Sequence, residues 1–157
     1  MIMKTAQIIV IVLQAAFLLF CYVKYGQLRS VSASVHSLKG PIEVSLYSWF
    51  ILITSFYFII SLDCTGGVIA GFSLMIDAAA VSVSKKENKL QYYLHNFGAM
   101  IGIGAGMVTF IWLGYAWYVI PYGVSLILIY GYPKVKNDTY WAEIAALITA
   151  HIVIGQI

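Results

Sequence analysis

Four ionisable side chains lie inside or at the edge of strongly apolar stretches of the chain: Asp77, His95, Glu143 and His151. Ionisable groups are costly to place in an apolar medium, so each of them is a candidate functional residue. A carboxylate next to an imidazole could bind a lipid headgroup, relay a proton or hold a metal ion. The structural alternative is a buried polar pair that fixes the order of the helices.

The motifs of common enzymes are missing from the sequence. It contains no G-x-S-x-G, H-E-x-x-H, C-x-x-C or C-x-x-C-H motif, and no glycine-rich loop followed by a lysine. Its three histidines are far apart along the chain. We therefore expect no enzymatic activity, no cofactor and no metal site.

The composition indicates the medium that surrounds the four ionisable groups. Of the 157 residues, 62% are hydrophobic and 10% are charged, and the mean hydropathy is +0.90. Soluble domains carry about 45–50% apolar and about 25% charged residues. A chain with so few charges could not cover its surface in water, so the lipid bilayer is its expected solvent. A secreted disulfide scaffold, a disordered tail and a cytosolic enzyme are excluded.

Six apolar segments are long enough to be considered as helices that cross a bilayer, since about 20 apolar residues span its hydrocarbon core. The predicted fold is an all-α, single-domain bundle of six transmembrane helices. Its spans cover residues 6–23, 45–62, 65–84, 96–113, 117–132 and 140–157.

Lysine and arginine follow an alternating pattern along these segments. Of the nine basic residues, all except Lys4 lie in the loops after the first, third and fifth spans. By the positive-inside rule those three loops are cytoplasmic and both termini face outward. The net charge of +3 is therefore a topology signal, and we expect no nucleic-acid partner. Aromatic residues near the segment ends, among them Tyr47 and Trp49, are predicted to lie at the membrane–water interface.

This topology gathers three of the four ionisable residues in the cytoplasmic half of the bilayer. Asp77 needs a partner in hydrocarbon, and His95 on the next span is the first candidate. The remaining candidates are Glu143, Tyr92 and Tyr93. A direct contact between Asp77 and His95 and a bridge through water or a hydroxyl group both remain open. His151 lies eight residues beyond Glu143, near the middle of the membrane.

Glycines recur at intervals of four residues on two neighbouring spans: Gly67 and Gly71 on the third, and Gly98, Gly102 and Gly106 on the fourth. Small residues at this spacing let membrane helices approach each other closely. Packing within one chain, a homodimer contact and a pore lining are the three interpretations. The expected partners are the lipid bilayer and a homo-oligomer or another membrane protein.

The two cysteines are predicted to lie on opposite sides of the membrane, Cys21 at the cytoplasmic end of the first span and Cys64 at the outer end of the second. A separation of about 30 Å across the hydrocarbon core is far beyond the Cα distance of about 7 Å that a disulfide tolerates. They are predicted not to form an intrachain disulfide.

Two short motifs resemble a known group of proteins. The loop residues Arg29-Ser30-Val31-Ser32 and the helix residues 94–99, Leu-His-Asn-Phe-Gly-Ala, are similar to the R-S-[IV]-S loop and the [IV]-H-x-x-G-A helix start of small six-helix membrane proteins of Bacteroides-type bacteria and their phages. More distantly the chain resembles the autophagy-modulator membrane family. Ala33 stands where that family has an aspartate. The resemblance implies six helices, a bacterial inner membrane and a role for His95, and it supplies no activity.

The predicted function is that of a multi-pass protein of the inner (plasma) membrane, non-enzymatic, acting through helix or lipid contacts. The alternative is a small oligomeric transporter or channel with an aspartate–histidine polar path.

Overall fold

A computed structural model of the protein describes residues 2–26, 31, 41–80, 88–132 and 137–157. These residues form six α-helices and no β-strand, which confirms the all-α prediction. The helices are α1 (Ile2–Tyr25), α2 (Pro41–Leu62), α3 (Thr65–Ala80), α4 (Lys89–Trp112), α5 (Ala116–Gly131) and α6 (Asp138–Ile154).

Three stretches of these helices are long and apolar enough to cross a membrane: Thr5–Tyr25, Ser45–Leu62 and Lys89–Trp112. This indicates a membrane protein. The helices α3 and α5 are also apolar but contain 16 residues each. At 1.5 Å per residue each is about 24 Å long, shorter than the hydrocarbon core of about 30 Å.

The helix α4 begins earlier than the predicted span 96–113. Asn88 caps its first turn, because the Asn88 side chain accepts a hydrogen bond from the backbone N–H of Gln91 at 3.1 Å. The prediction counted only apolar residues, whereas the polar first turns continue the same helix. His95, which the sequence predicts at a helix start, therefore lies in the second turn of α4.

The helices α2, α3 and α4 form the centre of the bundle. The helix α3 packs along both α4 and α2, α1 lies against α2, and α5 packs mainly on α6. The aromatic rings of Phe17 on α1 and Phe50 on α2 stack with their centroids 4.8 Å apart. This arrangement buries one face of each central helix and leaves the outer faces apolar and exposed, as a bilayer requires.

The glycines at four-residue spacing pack between helices of the same chain. A Cβ atom added at Gly98 would lie 2.6 Å from the backbone nitrogen of Asp77, and one at Gly102 would lie 2.7 Å from Leu74. Both positions therefore hold α4 close against α3. In the same way Gly67 and Gly71 of α3 face α2, and Gly106 of α4 faces the ring of Phe58.

A tight turn separates α4 from α5, whose predicted spans are also separate. Gly114 has a φ of 91°, a backbone conformation that side chains other than glycine rarely adopt. Its N–H donates to the carbonyl of Ile111 at 3.0 Å, and the Tyr115 N–H donates to that of Phe110 at 2.9 Å. The chain thus reverses within a few residues after Trp112.

Neither cysteine forms a disulfide bond, as the sequence predicts. Cys21 is buried near the C-terminal end of α1, and Cys64 lies in the turn that follows the C-terminal end of α2.

Candidate functional site

Asp77 and His95 form a buried pair between α3 and α4. His95 Nδ1 lies 2.6 Å from Asp77 Oδ1 and 3.4 Å from the backbone oxygen of the same residue. Asp77 is 3% exposed and His95 is 5% exposed. Of the two open possibilities, direct contact and a bridge, the structure has the direct contact.

The close approach of the two helix backbones positions this pair. Asp77 stands in the last turn of α3, and His95 in the second turn of α4. Gly98, one turn beyond His95, packs against the backbone of Ser73 and Asp77. A larger side chain at position 98 would separate the helices and move the imidazole away from the carboxylate. The glycine is therefore part of the site as well as of the packing.

Glu143 reaches the same end of the bundle from α6. Its carboxylate oxygen Oε2 accepts a hydrogen bond from the backbone N–H of Val31, a residue between α1 and α2. Val31 itself is buried. This contact holds Val31 against the carboxylate. The other residues of the motif Arg29-Ser30-Val31-Ser32 lie outside the described residues.

A partly open cavity of about 80 Å³ is lined by Asp77, Glu143 and Val31. Residues from α2, α3, α4 and α6 line it, and most of them are apolar. Its polar lining consists of Asp77, Glu143, Tyr47 and, further along α2, Thr54. Two carboxylates therefore share one mainly apolar space, in which electrostatic interactions are stronger than in water.

Tyr47, which the sequence predicts to lie at the membrane–water interface, is a member of this site. Its side chain is 0% exposed and faces the bundle interior, a direction that the prediction does not address. Its hydroxyl group lies near Asp77 and makes no well-aligned hydrogen bond with the described residues. The physical reason is helical spacing: Tyr47, Phe50, Ile51 and Thr54 share one face of α2, and that face turns toward the bundle interior.

His151 lies in a second polar network. Its Nε2 is 2.5 Å from Gln14 Oε1 on α1, and Gln14 Nε2 donates to Thr54 Oγ1 at 2.6 Å. The eight residues between Glu143 and His151 correspond to about 12 Å along α6. The structure therefore brings Asp77, His95 and Glu143 to one end of the cavity and sets His151 apart from them.

The hydrogen bonds around Gln14 determine which nitrogen of His151 carries the proton. Thr54 Oγ1 donates to the Phe50 carbonyl at 2.9 Å, so it accepts from the amide nitrogen of Gln14. The amide oxygen of Gln14 is then left to accept from His151 Nε2. Neutral His151 thus has Nε2 protonated and Nδ1 as an acceptor. Nδ1 has no partner among the described residues.

The sequence prediction missed Gln14, although a signal was present. Gln7 and Gln14 are the amide side chains of the first apolar segment, and they are seven residues apart. Amides at this spacing share a helix face and tend to bond to neighbouring helices in a membrane. Both do so here, since Gln7 Nε2 donates to the His151 carbonyl at 2.8 Å.

The described residues contain no group of three or more histidine, cysteine, aspartate or glutamate side chains placed to hold a metal ion. The fold and the site thus define a small all-α membrane protein with a buried aspartate–histidine pair. No family model matches the chain, and no curated protein or solved structure matches it. The resemblance of its two short motifs to the six-helix bacterial proteins stays a prediction.

Proposed function

We propose that the chain is a non-enzymatic protein of a bacterial inner membrane that crosses the bilayer six times, with both termini outside. The alternation of basic loops supports this topology. So does the meeting of Asp77, His95 and Glu143, since an up-and-down order of six spans brings these parts of α3, α4 and α6 to the same side.

Within this class the proposed activity is the binding of a lipid polar group at the head of the cavity. The observation that carries it is the Asp77–His95 pair, which faces a mainly apolar space of about 80 Å³ together with Tyr47 and Glu143. His95 Nδ1 contacts one oxygen of the Asp77 carboxylate at 2.6 Å. A carboxylate accepts several hydrogen bonds, so Asp77 retains acceptor sites for a donor on a ligand.

The chemistry of the site favours an ammonium group over a phosphate. Carboxylates accept hydrogen bonds from ammonium donors and repel anions. An ethanolamine headgroup supplies such a donor on a short carbon chain, whereas a glycerol headgroup attached to phosphate brings hydroxyl groups and a net negative charge. Phosphatidylethanolamine is therefore the preferred ligand.

Native mass spectrometry of the detergent-purified protein tests this proposal. Phosphatidylethanolamine should remain bound in preference to phosphatidylglycerol, and Asp77→Asn should remove the preference. Asp63→Asn is the matched control, because Asp63 is exposed in the turn before α3 and its variant should bind as the wild type does. Equal retention of both lipids by all three proteins would contradict the proposal.

A second candidate function is transport by a small oligomer, with the aspartate–histidine pair on the path. One observation favours it: Thr54 lines the same cavity as Asp77 and belongs to the network of Gln14 and His151. The mass of the complex in detergent provides the test. A six-helix chain of 17.4 kDa has little room for a pore, so this candidate requires an oligomer or a narrow path inside one bundle.

A further inference from the structure

A stripe of buried polar side chains follows the inward face of α2. Tyr47, Thr54 and Ser61 are spaced by seven residues, which places them on one side of the helix, and Tyr57 lies one turn before Ser61. All four are at most 6% exposed. From Tyr47 to Ser61 the stripe extends about 21 Å along the helix axis, which is about two thirds of a hydrocarbon core of about 30 Å.

Four polar atoms on or beside this stripe are buried without a well-aligned hydrogen bond to the described residues: Tyr47 Oη, Tyr57 Oη, Ser61 Oγ and, on α6, His151 Nδ1. Tyr47 lies near Asp77, and Tyr57 lies near Ser61. Buried polar groups in native proteins are nearly always satisfied, and bridging water is the usual partner where protein groups are missing. These four atoms therefore indicate water sites beside α2.

The cavity beside the stripe has room for the first of these water sites. A water molecule occupies about 30 Å³ in the liquid, so about 80 Å³ accommodates two or three. Their polar partners are Tyr47, Asp77 and Glu143 at one end and Thr54 at the other. Water in this space would join the Asp77–His95 pair to the network of Gln14 and His151.

His151 connects the cavity to the far part of the stripe. Its Nε2 is held by Gln14 at 2.5 Å, and its Nδ1 is an acceptor without a partner among the described residues. The ring of Tyr57 packs beside it, with the two ring centroids 5.5 Å apart. An imidazole can take up a proton at one nitrogen and release one from the other, so His151 is suited to pass a proton between the two sections.

We propose that the interior of a single bundle is a proton route. A proton enters at the Asp77–His95 pair, moves through water in the cavity past Tyr47 and Thr54, and is exchanged at His151. It leaves past the hydroxyl groups of Tyr57 and Ser61. At every step a proton is accepted at one oxygen or nitrogen atom while another is released, so no covalent change remains. The route deepens the second candidate function, since it names the species carried and requires no oligomer.

The titratable groups facing the route from the described helices are few. Asp77 and His95 from α3 and α4, Glu143 from α6 and Tyr47 from α2 surround its entrance. His151 and Tyr57 stand in the middle, and Asp63 is exposed beyond Ser61. Lysine and arginine residues in the described parts of the chain are confined to helix ends, where they present no fixed positive charge to a proton inside the bundle.

The test is proton flux into liposomes that contain the purified full-length protein. A potassium gradient with valinomycin sets the membrane potential, and a trapped pH-sensitive dye reports protons. We expect the wild type to exceed protein-free liposomes. Tyr57→Phe and His151→Gln should each lower the flux about tenfold or more, because positioned proton-transfer groups contribute about 10²–10⁴-fold. Tyr130→Phe, an exposed tyrosine on α5, is the matched control and should leave it unchanged.

Tyr57→Phe removes only one oxygen atom, so it separates loss of the route from loss of folding, which gel filtration checks for each variant. Wild-type flux equal to that of protein-free liposomes would overturn the proton route, as would flux that Tyr57→Phe and His151→Gln leave intact.

Lipid retention by native mass spectrometry on the same samples distinguishes the two proposals. Selective ethanolamine-lipid binding without flux overturns the route alone, and flux without selective binding overturns the lipid site alone. A large oligomeric mass together with flux insensitive to these variants would place transport at subunit contacts instead.

Discussion

Gly98 lies directly against the backbone of Asp77. A Cβ atom at position 98 would stand 2.6 Å from the Asp77 nitrogen and 2.7 Å from the Ser73 carbonyl oxygen, both closer than real Cβ contacts allow. Since His95 is one turn from Gly98 on the same helix, this approach also sets the 2.6 Å contact between the imidazole and the carboxylate. Helix packing and the polar site thus both depend on the short distance between the backbones of α3 and α4.

Replacement of Gly98 by alanine should destabilise the protein by about 1–3 kcal/mol, the usual cost of overpacking, because the new methyl group meets backbone that cannot move aside. Gly104→Ala on the same helix is the control, since nothing lies within 4 Å of a Cβ there. It should be neutral or stabilising by up to about 1 kcal/mol, because alanine is the better helix former. Thermal unfolding in detergent measures both, and equal stabilities would contradict a close α3–α4 contact.

Gly102→Leu should likewise disrupt α4 more than Ile103→Leu. A Cβ at Gly102 would already be 2.7 Å from Leu74, whereas Ile103 has a side chain that leucine replaces at similar volume. The comparison uses thermal unfolding in the same detergent. If the two variants unfolded at the same temperature, the small face of α4 would not be a packed surface.

The Asp77–His95 pair should be energetically coupled. Asp77→Ala leaves a buried imidazole without its carboxylate partner, and a buried polar group left without its partner costs about 1–3 kcal/mol. The double variant with His95→Ala should cost less than the sum of the single variants, with a coupling of about 0.5–3 kcal/mol. A double-mutant cycle on the free energy of unfolding measures this term. Strict additivity would show that the two side chains do not stabilise each other.

Gln14→Leu should loosen the contact of α1 with α2 and α6. It removes the acceptor of His151 Nε2 and the donor to Thr54, interactions worth about 1–2 kcal/mol between membrane helices. Gln156→Leu, at an exposed position after α6, is the matched control and should leave the unfolding temperature unchanged. A wild-type unfolding temperature for Gln14→Leu would remove the argument that this network holds α1 in place.

The cysteines offer a test of the proposed topology. The variant Cys21→Ala keeps Cys64 as its single cysteine, and Cys64 is partly exposed in the turn between α2 and α3. A membrane-impermeant maleimide added to spheroplasts, in which the outer side of the inner membrane is accessible, should label Cys64. A variant that keeps only the buried Cys21 should stay unlabelled before and after permeabilisation. Labelling of Cys64 only after permeabilisation would reverse the proposed orientation.

The sequence by itself predicts the number, order and approximate limits of the helices that the structure describes. An apolar segment of sufficient length forms a helix in lipid, because each of its backbone N–H and C=O groups must be hydrogen-bonded within the segment. The predicted span begins at residue 96, after the start of α4, because the polar turn capped by Asn88 carries no hydropathy signal. The association of Asp77 with His95 could be predicted as one of several pairings, since both lie near one end of adjacent spans.

Tertiary structure alone decided which helix faces meet. Tyrosine is a residue type that is common at membrane interfaces, but the face of α2 that carries Tyr47 is directed toward the bundle interior. His151 finds its partner 137 residues away in Gln14, a choice that depends on where α1 docks. Hydropathy specifies how deep a residue lies in the bilayer, whereas its direction around the helix follows from side-chain packing between neighbours. In lipid the apolar faces of a helix differ little in solvation, so close contact at Gly98 and hydrogen bonds at Gln14 select the arrangement.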